Sequence, residues 1–452
     1  MKRTLQQLRD EALAIWHAGV EAVRPERLIS DALKVEGNAL VVGDESLSLD
    51  AIRRIFVVGA GKAGAAMAAT VEEILGTRLI EEKQVEGRVN VPADCVRPLD
   101  HITLHPARPA GVNEPTEEGV AGTREILRLV ESLGPDDICL CLISGGGSAL
   151  LPAPVEGISL DDKLAVTRHL SGAGANIEQL NTVRKQLSLI KGGGLARGCR
   201  AGTLCTLIIS DVLGDPLDVI ASGPTVEDSS TPQAALDVLG QFSAAEAGIS
   251  TAVFEYLRGK TVQRPHETTC RVKNLIIGNN ATAVDAAGMK AESLGYSHAM
   301  ISASTCEGPA EEVGRHLADM ALSMRDGTGP DCLISGGEPV VTLCDSSIRG
   351  RGGRNQQLVL AALEKLASDG AERIALLSGG TDGEDGPTDA AGAVLDAAIL
   401  AEANRQGLDP ADYLKRNDAY NFFKPLDALI TTGPTGTNVC DIRVLVVGRE
   451  DS

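Results

Sequence analysis

The sequence predicts an α/β protein of two domains, and three observations carry that prediction. Apolar, β-branched runs alternate with helix-periodic segments along nearly the whole chain, the pattern of parallel strands joined by helices. Three of the apolar runs end in Ser-Gly-Gly, at Ser144-Gly145-Gly146-Gly147, Ser335-Gly336-Gly337-Glu338 and Ser378-Gly379-Gly380-Thr381. Strand ends that open into glycine turns are where α/β sheets bind ligands, although one of the three is expected to be an ordinary strand-to-helix corner. The length, 452 residues, suits two or three domains.

Taken in order, residues 4–23 place Leu5, Leu8, Ala12, Ile15, Trp16 and Val20 on one helical face. Residues 52–58 form a strand that runs into Gly59-Ala60-Gly61-Lys62-Ala63-Gly64, with a helix over 65–75. A strand at 85–91 and a Pro-rich extended connection over 99–115 follow, then a helix over 117–133 and a buried strand over 137–143. Helices are expected at 161–170 and 178–189, and a strand at 205–210. A boundary falls between 242 and 270, where a helical piece with Phe254 and Tyr256 gives way to the polar segment 259–269. It divides the chain into residues 1–250 and 265–452. Beyond it come strands at 274–277, 298–302, 331–334, 373–377, 429–431 and 443–447, with helices at 281–293, 311–324 and from Asn355 onward. The last strand ties the C-terminal region into a sheet.

Composition narrows the function. A net charge of −20 argues against a nucleic-acid surface, and an aromatic content of 2% removes the stacking platforms that bind bases. The ten cysteines form no CxxC pair and read as buried small hydrophobes of a reducing compartment, so a cytoplasmic location is expected. The charged N-terminal segment is an amphipathic helix and not a signal peptide, and no run is long enough for a membrane span. Assembly into a homo-oligomer stays open.

The richest segment is 332–360. It passes from Gly336-Gly337-Glu338 through Arg349, Arg351 and Arg354, set among glycines, to a helix start at Asn355. Glycines let a backbone approach a ligand, guanidinium groups grip oxyanions as a fork, and helix N-termini present unpaired N–H groups. A multiply charged anion suits all three; a solvated loop is the plain alternative. Gly59–Gly64 satisfies G-x-G-x-x-G, but no well-placed acidic residue follows about 20 residues on, as NAD binding wants. Lys62 beside a helix start favours a phosphate or carboxylate, with dinucleotide binding and a plain tight turn as alternatives.

Ser144-Gly145-Gly146-Gly147-Ser148 offers an anion nest and fails the G-x-S-x-G pattern, because Leu150 stands at its last position. The segment from Asn181 to Gly194 is basic; of Lys185 and Lys191 one is expected to be solvated. Asp211 and Asp215 lie at one strand end, and Asp382, Glu384, Asp385 and Asp389 at another. The second loop fails the EF-hand pattern at Ala393, so Mg²⁺ fits better than Ca²⁺; its candidate ligands are Asp211, Glu338, Asp382 and Asp389. His101 and His105 are not expected to bind zinc.

The ordered set V-V-G-A-G-K-A-G, L-I-S-G-G-G-S-A-L-L, L-N-T-V-R-K-Q-L-S-L-I-K-G-G-G-L-A, I-I-S-D-V-L-G-D-P-L-D-V-I-A-S-G-P-T, I-S-G-G-E and G-R-G-G-R-N-Q-Q resembles the class II glycerate kinases. That family carries a C-terminal MOFRL domain and is often labelled hydroxypyruvate reductase. The resemblance spans nearly the whole chain. It implies a Rossmann-like N-terminal domain, a smaller α/β C-terminal domain of MOFRL type, and ATP-dependent, Mg²⁺-assisted phosphorylation of D-glycerate to 2-phosphoglycerate in a cleft between the two. The family's functional lysine falls on Lys62 and its functional arginine on Arg351 or Arg354. One departure is Leu104-His105-Pro106, where the family reads G-H-P.

The expected catalytic residues are Lys62, Arg351, Arg354 and Asp211. The expected phosphate contacts are Gly59, Gly61, Ser144, Gly145, Gly146, Gly147, Ser148, Lys191, Gly336, Gly337 and Asn355. An NAD(P)H-dependent hydroxypyruvate reductase is the alternative reading.

Overall fold

The computed structural model describes residues 3–260 and 270–449, so the polar segment read as a domain boundary lies, from residue 261, outside the described residues. The chain divides into two units, residues 25–277 and residues 1–24 with 278–452. The helix Leu5–Ala22 therefore belongs with the C-terminal part of the chain, not with the segment that follows it. A reciprocal capping box between Thr4 and Gln7 starts it. Its apolar face buries Leu8, Ile15, Trp16 and Val20, and Trp16 donates its indole N–H to the Gly379 carbonyl at 3.2 Å.

In the unit of residues 25–277, a small antiparallel sheet comes first: β1 (Leu33–Glu36), β2 (Ala39–Val42) and β3 (Glu45–Ser48). Positive-φ glycines at Gly37 and Gly43 turn its two hairpins. The main sheet is built from β4 (Arg54–Ala60), β5 (Glu86–Pro92), β6 (Ile102–Arg108), β7 (Asp137–Ile143), β8 (Thr203–Ile209) and β9 (Arg271–Gly278), in the order β6-β5-β4-β7-β8-β9. The pairs β5/β6, β4/β5, β4/β7 and β7/β8 are all parallel. This is the doubly wound order of Rossmann-type sheets, with the direction of winding reversing between β4 and β7. Every residue of β7 is buried, as its unbroken apolar run requires of a central strand. The segment expected as a plain connection over 99–115 holds strand β6. Pro106 and His105 hid it, and proline is tolerated there because β6 is an edge strand.

The other unit holds a mixed sheet of β10 (His298–Ser302), β11 (Cys332–Gly337), β12 (Ile374–Gly380), β13 (Gly392–Asp396), β14 (Leu429–Ile430) and β15 (Asp441–Val447). Its order is β10-β11-β15-β12-β13-β14. Only β10 and β11 pair in parallel. The final strand β15 inserts antiparallel between β11 and β12, so the expectation of an all-parallel arrangement is corrected here. This insertion sets Asp441 level with both Gly337 and Gly380, at the carboxyl ends of β11 and β12.

Candidate active site

At the switch point of the parallel sheet, the turn after β4 interlocks with the turn after β7. A Cβ on Gly59 would stand 2.1 Å from the Leu142 carbonyl oxygen, and one on Gly61 1.9 Å from Ser144 Oγ, so only glycine admits this approach. The N–H groups of Gly61, Lys62 and Gly64 donate to Asn90 O, Gly145 O and Gly61 O at 3.2, 2.9 and 3.1 Å. Ala63 N–H donates to Ser144 Oγ at 3.1 Å. The G-x-G-x-x-G turn thus spends its backbone donors on the protein itself, which removes the open cradle that a dinucleotide pyrophosphate needs.

What the turn presents instead is side-chain charge. Lys62 is exposed. A Cβ on Gly146 would meet Arg108 Nη2 at 3.3 Å and Lys62 Cγ at 3.7 Å, and one on Gly145 would meet Asp211 Oδ2 at 2.3 Å. Two cations and one carboxylate therefore gather around Ser144–Gly147. Arg108, the last residue of β6, was missed along with its strand. It is 4% exposed, donates to Asn113 Oδ1 at 2.7 Å and to the Val112 carbonyl, and its Nε finds no partner among the described residues. Burial lowers its pKa against the opposing pull of Asp94. His105 is held between Arg88 Nη1 at 3.2 Å and the Glu118 carbonyl at 2.8 Å, a structural tie.

Behind the turn, the buried Lys191 donates to Ser148 O at 2.8 Å and Ser148 Oγ at 2.7 Å. Its pKa lies well below the ordinary lysine value because it is buried, with Lys163 and Arg184 adding repulsion. Lys185 is buried as well and pairs with Asp218 at 3.1 Å, so the expectation that one of the two lysines is solvated is corrected: an acid partner lets the second one be buried.

In the other unit the arginines behave differently. Arg354 grips Asp441 with both arms, Nε to Oδ2 at 2.7 Å and Nη2 to Oδ1 at 2.9 Å, and reaches Glu338 Oε1 at 2.8 Å. Burial opposes its charge, but Asp441, then Glu338 and Asp385, hold its pKa above the ordinary value. The helix Arg354–Asp369 does not offer a bare N-terminus. Asp385 Oδ1 and Oδ2 accept from the N–H groups of Asn355 and Gln356 at 3.0 and 2.9 Å. Burial pushes the Asp385 carboxyl up to about 7 against those hydrogen bonds, and Asp441 adds to the rise.

Asn355 is buried, with its side chain spent on Asp385 and Ser378. The glycines of β11 admit protein side chains: a Cβ on Gly336 would meet Asn280 Oδ1 at 1.7 Å and one on Gly337 Glu307 Oε2 at 1.8 Å. Gly379 packs against Trp16 and is the ordinary corner among the three turns.

Arg351 is the arginine presented outward. It is exposed, lies 4.6 Å from the Tyr420 ring centroid and donates to Pro387 O at 3.2 Å. Tyr420 in turn donates its hydroxyl to Asp389 at 2.7 Å. Arg349 folds back onto the Cys344 carbonyl at 2.7 Å. Asp382 Oδ1 accepts from Glu384 N–H at 3.2 Å and lies 2.9 Å from where a Gly380 Cβ would stand. Of the four expected metal ligands, Glu338, Asp382 and Asp389 thus hold protein partners, and Asp211 sits in the other unit. Among the described residues no group of three or more His, Cys, Asp or Glu is placed to hold a metal ion, and no helix is long and apolar enough to cross a membrane.

Comparison with known proteins adds a lineage to this geometry. A family model described as Domain of unknown function (DUF4147) matches residues 11–258, and the MOFRL family model matches residues 331–441. A glycerate kinase of Danio rerio is 37% identical, covering 98% of each chain. A D-glycerate 2-kinase of Thermotoga maritima is 39% identical over 97% of this chain and 98% of its own. The crystal structure of a glycerate kinase from Thermotoga maritima superposes with a TM-score of 0.84 at 36% identity, covering 98% of this chain and 100% of that one.

Proposed function

This chain belongs to the class II glycerate 2-kinase family, and we propose that it transfers the γ-phosphoryl group of ATP to the C2 hydroxyl of D-glycerate. The observation that carries the reading to this chain's own residues is the gathering of Lys62, Arg108 and Asp211 around Ser144–Gly147 at the switch point. Phosphoryl transfer asks a protein for positioning and counter-charge more than for covalent chemistry. Lys62 and Arg108 supply positive charge for phosphate oxygens, and Arg351, stacked on Tyr420, supplies a guanidinium for a carboxylate or phosphate. Arg354 acts as a positioning residue that fixes Asp441 and Glu338.

In the reaction the C2 oxygen bonds to the γ-phosphorus as the bond to the β–γ bridging oxygen breaks, and the proton of the C2 hydroxyl passes to a carboxylate, for which Asp211 is the candidate. The carboxylates fit a Mg²⁺ ion that arrives with the nucleotide and keeps phosphate and water ligands, not a resident all-protein site. Asp211 or Asp382 would hold it, and it would neutralise charge on the phosphate oxygens. Purified protein supplied with D-glycerate, ATP and Mg²⁺ should release ADP and 2-phosphoglycerate. Oxidation of NADH by hydroxypyruvate, with no ADP formed, would overturn the reading in favour of the reductase, for which the spent N–H groups of Gly61–Gly64 leave no cradle.

A further inference from the structure

Unit 25–277 buries a cluster of cations that the transfer chemistry above does not use. Lys163, on the helix Leu160–Gly172, is 9% exposed, and its Nζ is buried with no hydrogen-bond partner among the described residues. Arg184, on the packed helix Ile177–Gln186, reaches back to Thr167 Oγ1 at 3.5 Å, one turn along from Lys163. Asn181 lies one turn before Arg184 and is 3% exposed. Its Oδ1 accepts from Ser222 Oγ at 3.0 Å, and its Nδ2 is buried with no hydrogen-bond partner among the described residues. Ser222 joins the set to Lys191, whose Nζ lies 3.4 Å from its hydroxyl.

After burial itself, Lys163 feels the charge of Arg184, and Lys191 feels those of Lys163 and Arg184, all positive, with no carboxylate among them. Burying an ammonium without a counter-charge is costly, and proteins keep such groups where a partner arrives. A dianion answers Arg184 and the protonated forms of Lys163 and Lys191 more fully than a lone carboxylate would. The donors at hand (Lys163 Nζ, Asn181 Nδ2 and the Arg184 guanidinium) suit tetrahedral oxygens, while Lys191, with its N–H groups on Ser148 and Ser222, adds charge.

We propose that Lys163, Asn181, Arg184 and Lys191 form a buried subsite for a phosphate group, carried by the nucleotide or by the phosphorylated product. The assignment of those two sources rests on the kinase reading; the subsite itself does not.

The test is calorimetric titration of the full-length chain at pH 8 with inorganic phosphate, ADP, 2-phosphoglycerate and D-glycerate. Wild type should bind inorganic phosphate with proton uptake, seen as a heat that changes with the ionisation enthalpy of the buffer, as Lys163 takes up its proton beside the anion. Lys163→Met should weaken phosphate at least ~10-fold, the scale of one lost charge-assisted hydrogen bond, with a Tm equal to or above wild type. Whichever of ADP and 2-phosphoglycerate weakens in parallel identifies the source. Asn181→Asp, which builds a counter-charge into the pocket, should also abolish phosphate binding and raise the Tm, and it serves if the first variant does not fold. Phosphate and phosphate-bearing ligands binding within twofold of wild type in both variants would overturn the subsite. A loss confined to D-glycerate would do so as well, by making it a carboxylate pocket.

Discussion

The two units share one local design, an apolar strand running into Ser-Gly-Gly, and use it in opposite electrical ways. After β7 the turn gathers Lys62 and Arg108, with Lys163 and Lys191 buried and Arg184 half-buried in the same unit, without acidic partners among the described residues. After β11 and β12 the cations are answered from within: Arg354 by Asp441 and Glu338, and Arg443 by Glu307 at 2.6 Å. Glycine at a strand end therefore marks a close approach, and what approaches decides the role. At Gly336 and Gly337 it is a neighbouring side chain; at Gly145 it is the Asp211 carboxylate. The unit whose charges are closed reads as scaffold, with Arg351 as its outward group. The unit whose charges are open reads as the place that waits for an anion.

The contrast breaks most severely if Arg354 proves dispensable. Arg354→Ala would leave Asp441, which is fully buried, without its counter-charge, and should cost about 3 kcal/mol of stability by denaturant unfolding. A variant as stable as wild type would mean that the network is not structural. The glycines sharpen the point. Gly145→Ala should displace Asp211 and lower kcat by ~10- to ~100-fold with little change in Tm, because the clash falls on the end of a side chain. Gly336→Ala should instead lower stability by about 1–3 kcal/mol, since the clash falls on Asn280, whose amide is bonded to Val439 O and Asp441 O at 2.9 and 3.0 Å. Equal effects of the two substitutions on kcat would erase the distinction.

The units also separate by pH. Burial lowers Lys163 from its ordinary 10.5 to about 7. Between those values the unfolded lysine holds a proton that the folded one has lost, so stability rises with pH across 7 to 10.5, by at most about 1.4 kcal/mol per unit. Asp385 moves the other way. Its folded carboxyl keeps a proton up to about 7 while the unfolded one releases it near 3.8, so its contribution is present below 3.8 and fades as pH rises to 7. Urea midpoints measured from pH 7 to 9.5 should climb in wild type and climb less steeply in Lys163→Met, where Lys191 alone of the two keeps its lowered pKa; parallel curves would remove the buried-charge argument.

Much of the fold is legible from local pattern. The capped helix at Leu5, the buried run of β7 and the glycine turns all announce themselves, because each is fixed by residues a few positions apart. Strand β6 was not legible, since its His-Pro-Ala-Arg sequence suits only an edge. The hairpins of β1–β3 are too short and polar to stand out, and the unit to which the first helix belongs is set by contacts hundreds of residues away. The site divides the same way. Lys62, Arg351 and the Ser144 turn were visible as residue types in suggestive places. That Asp441 and Asp385 neutralise Arg354 and cap its helix was not, because those carboxylates lie 87 and 30 residues from their partners along the chain. Arg108 went unseen with its strand.

The central claim is that the open charge at the β4–β7 switch point holds the transferred phosphoryl group. Glycerate-dependent ADP release by Lys62→Ala tests it most directly. The exposed position of Lys62 predicts an unchanged Tm together with a kcat at least ~100-fold lower, the scale of one lost transition-state charge contact. Turnover near the wild-type rate in a folded Lys62→Ala protein would contradict it.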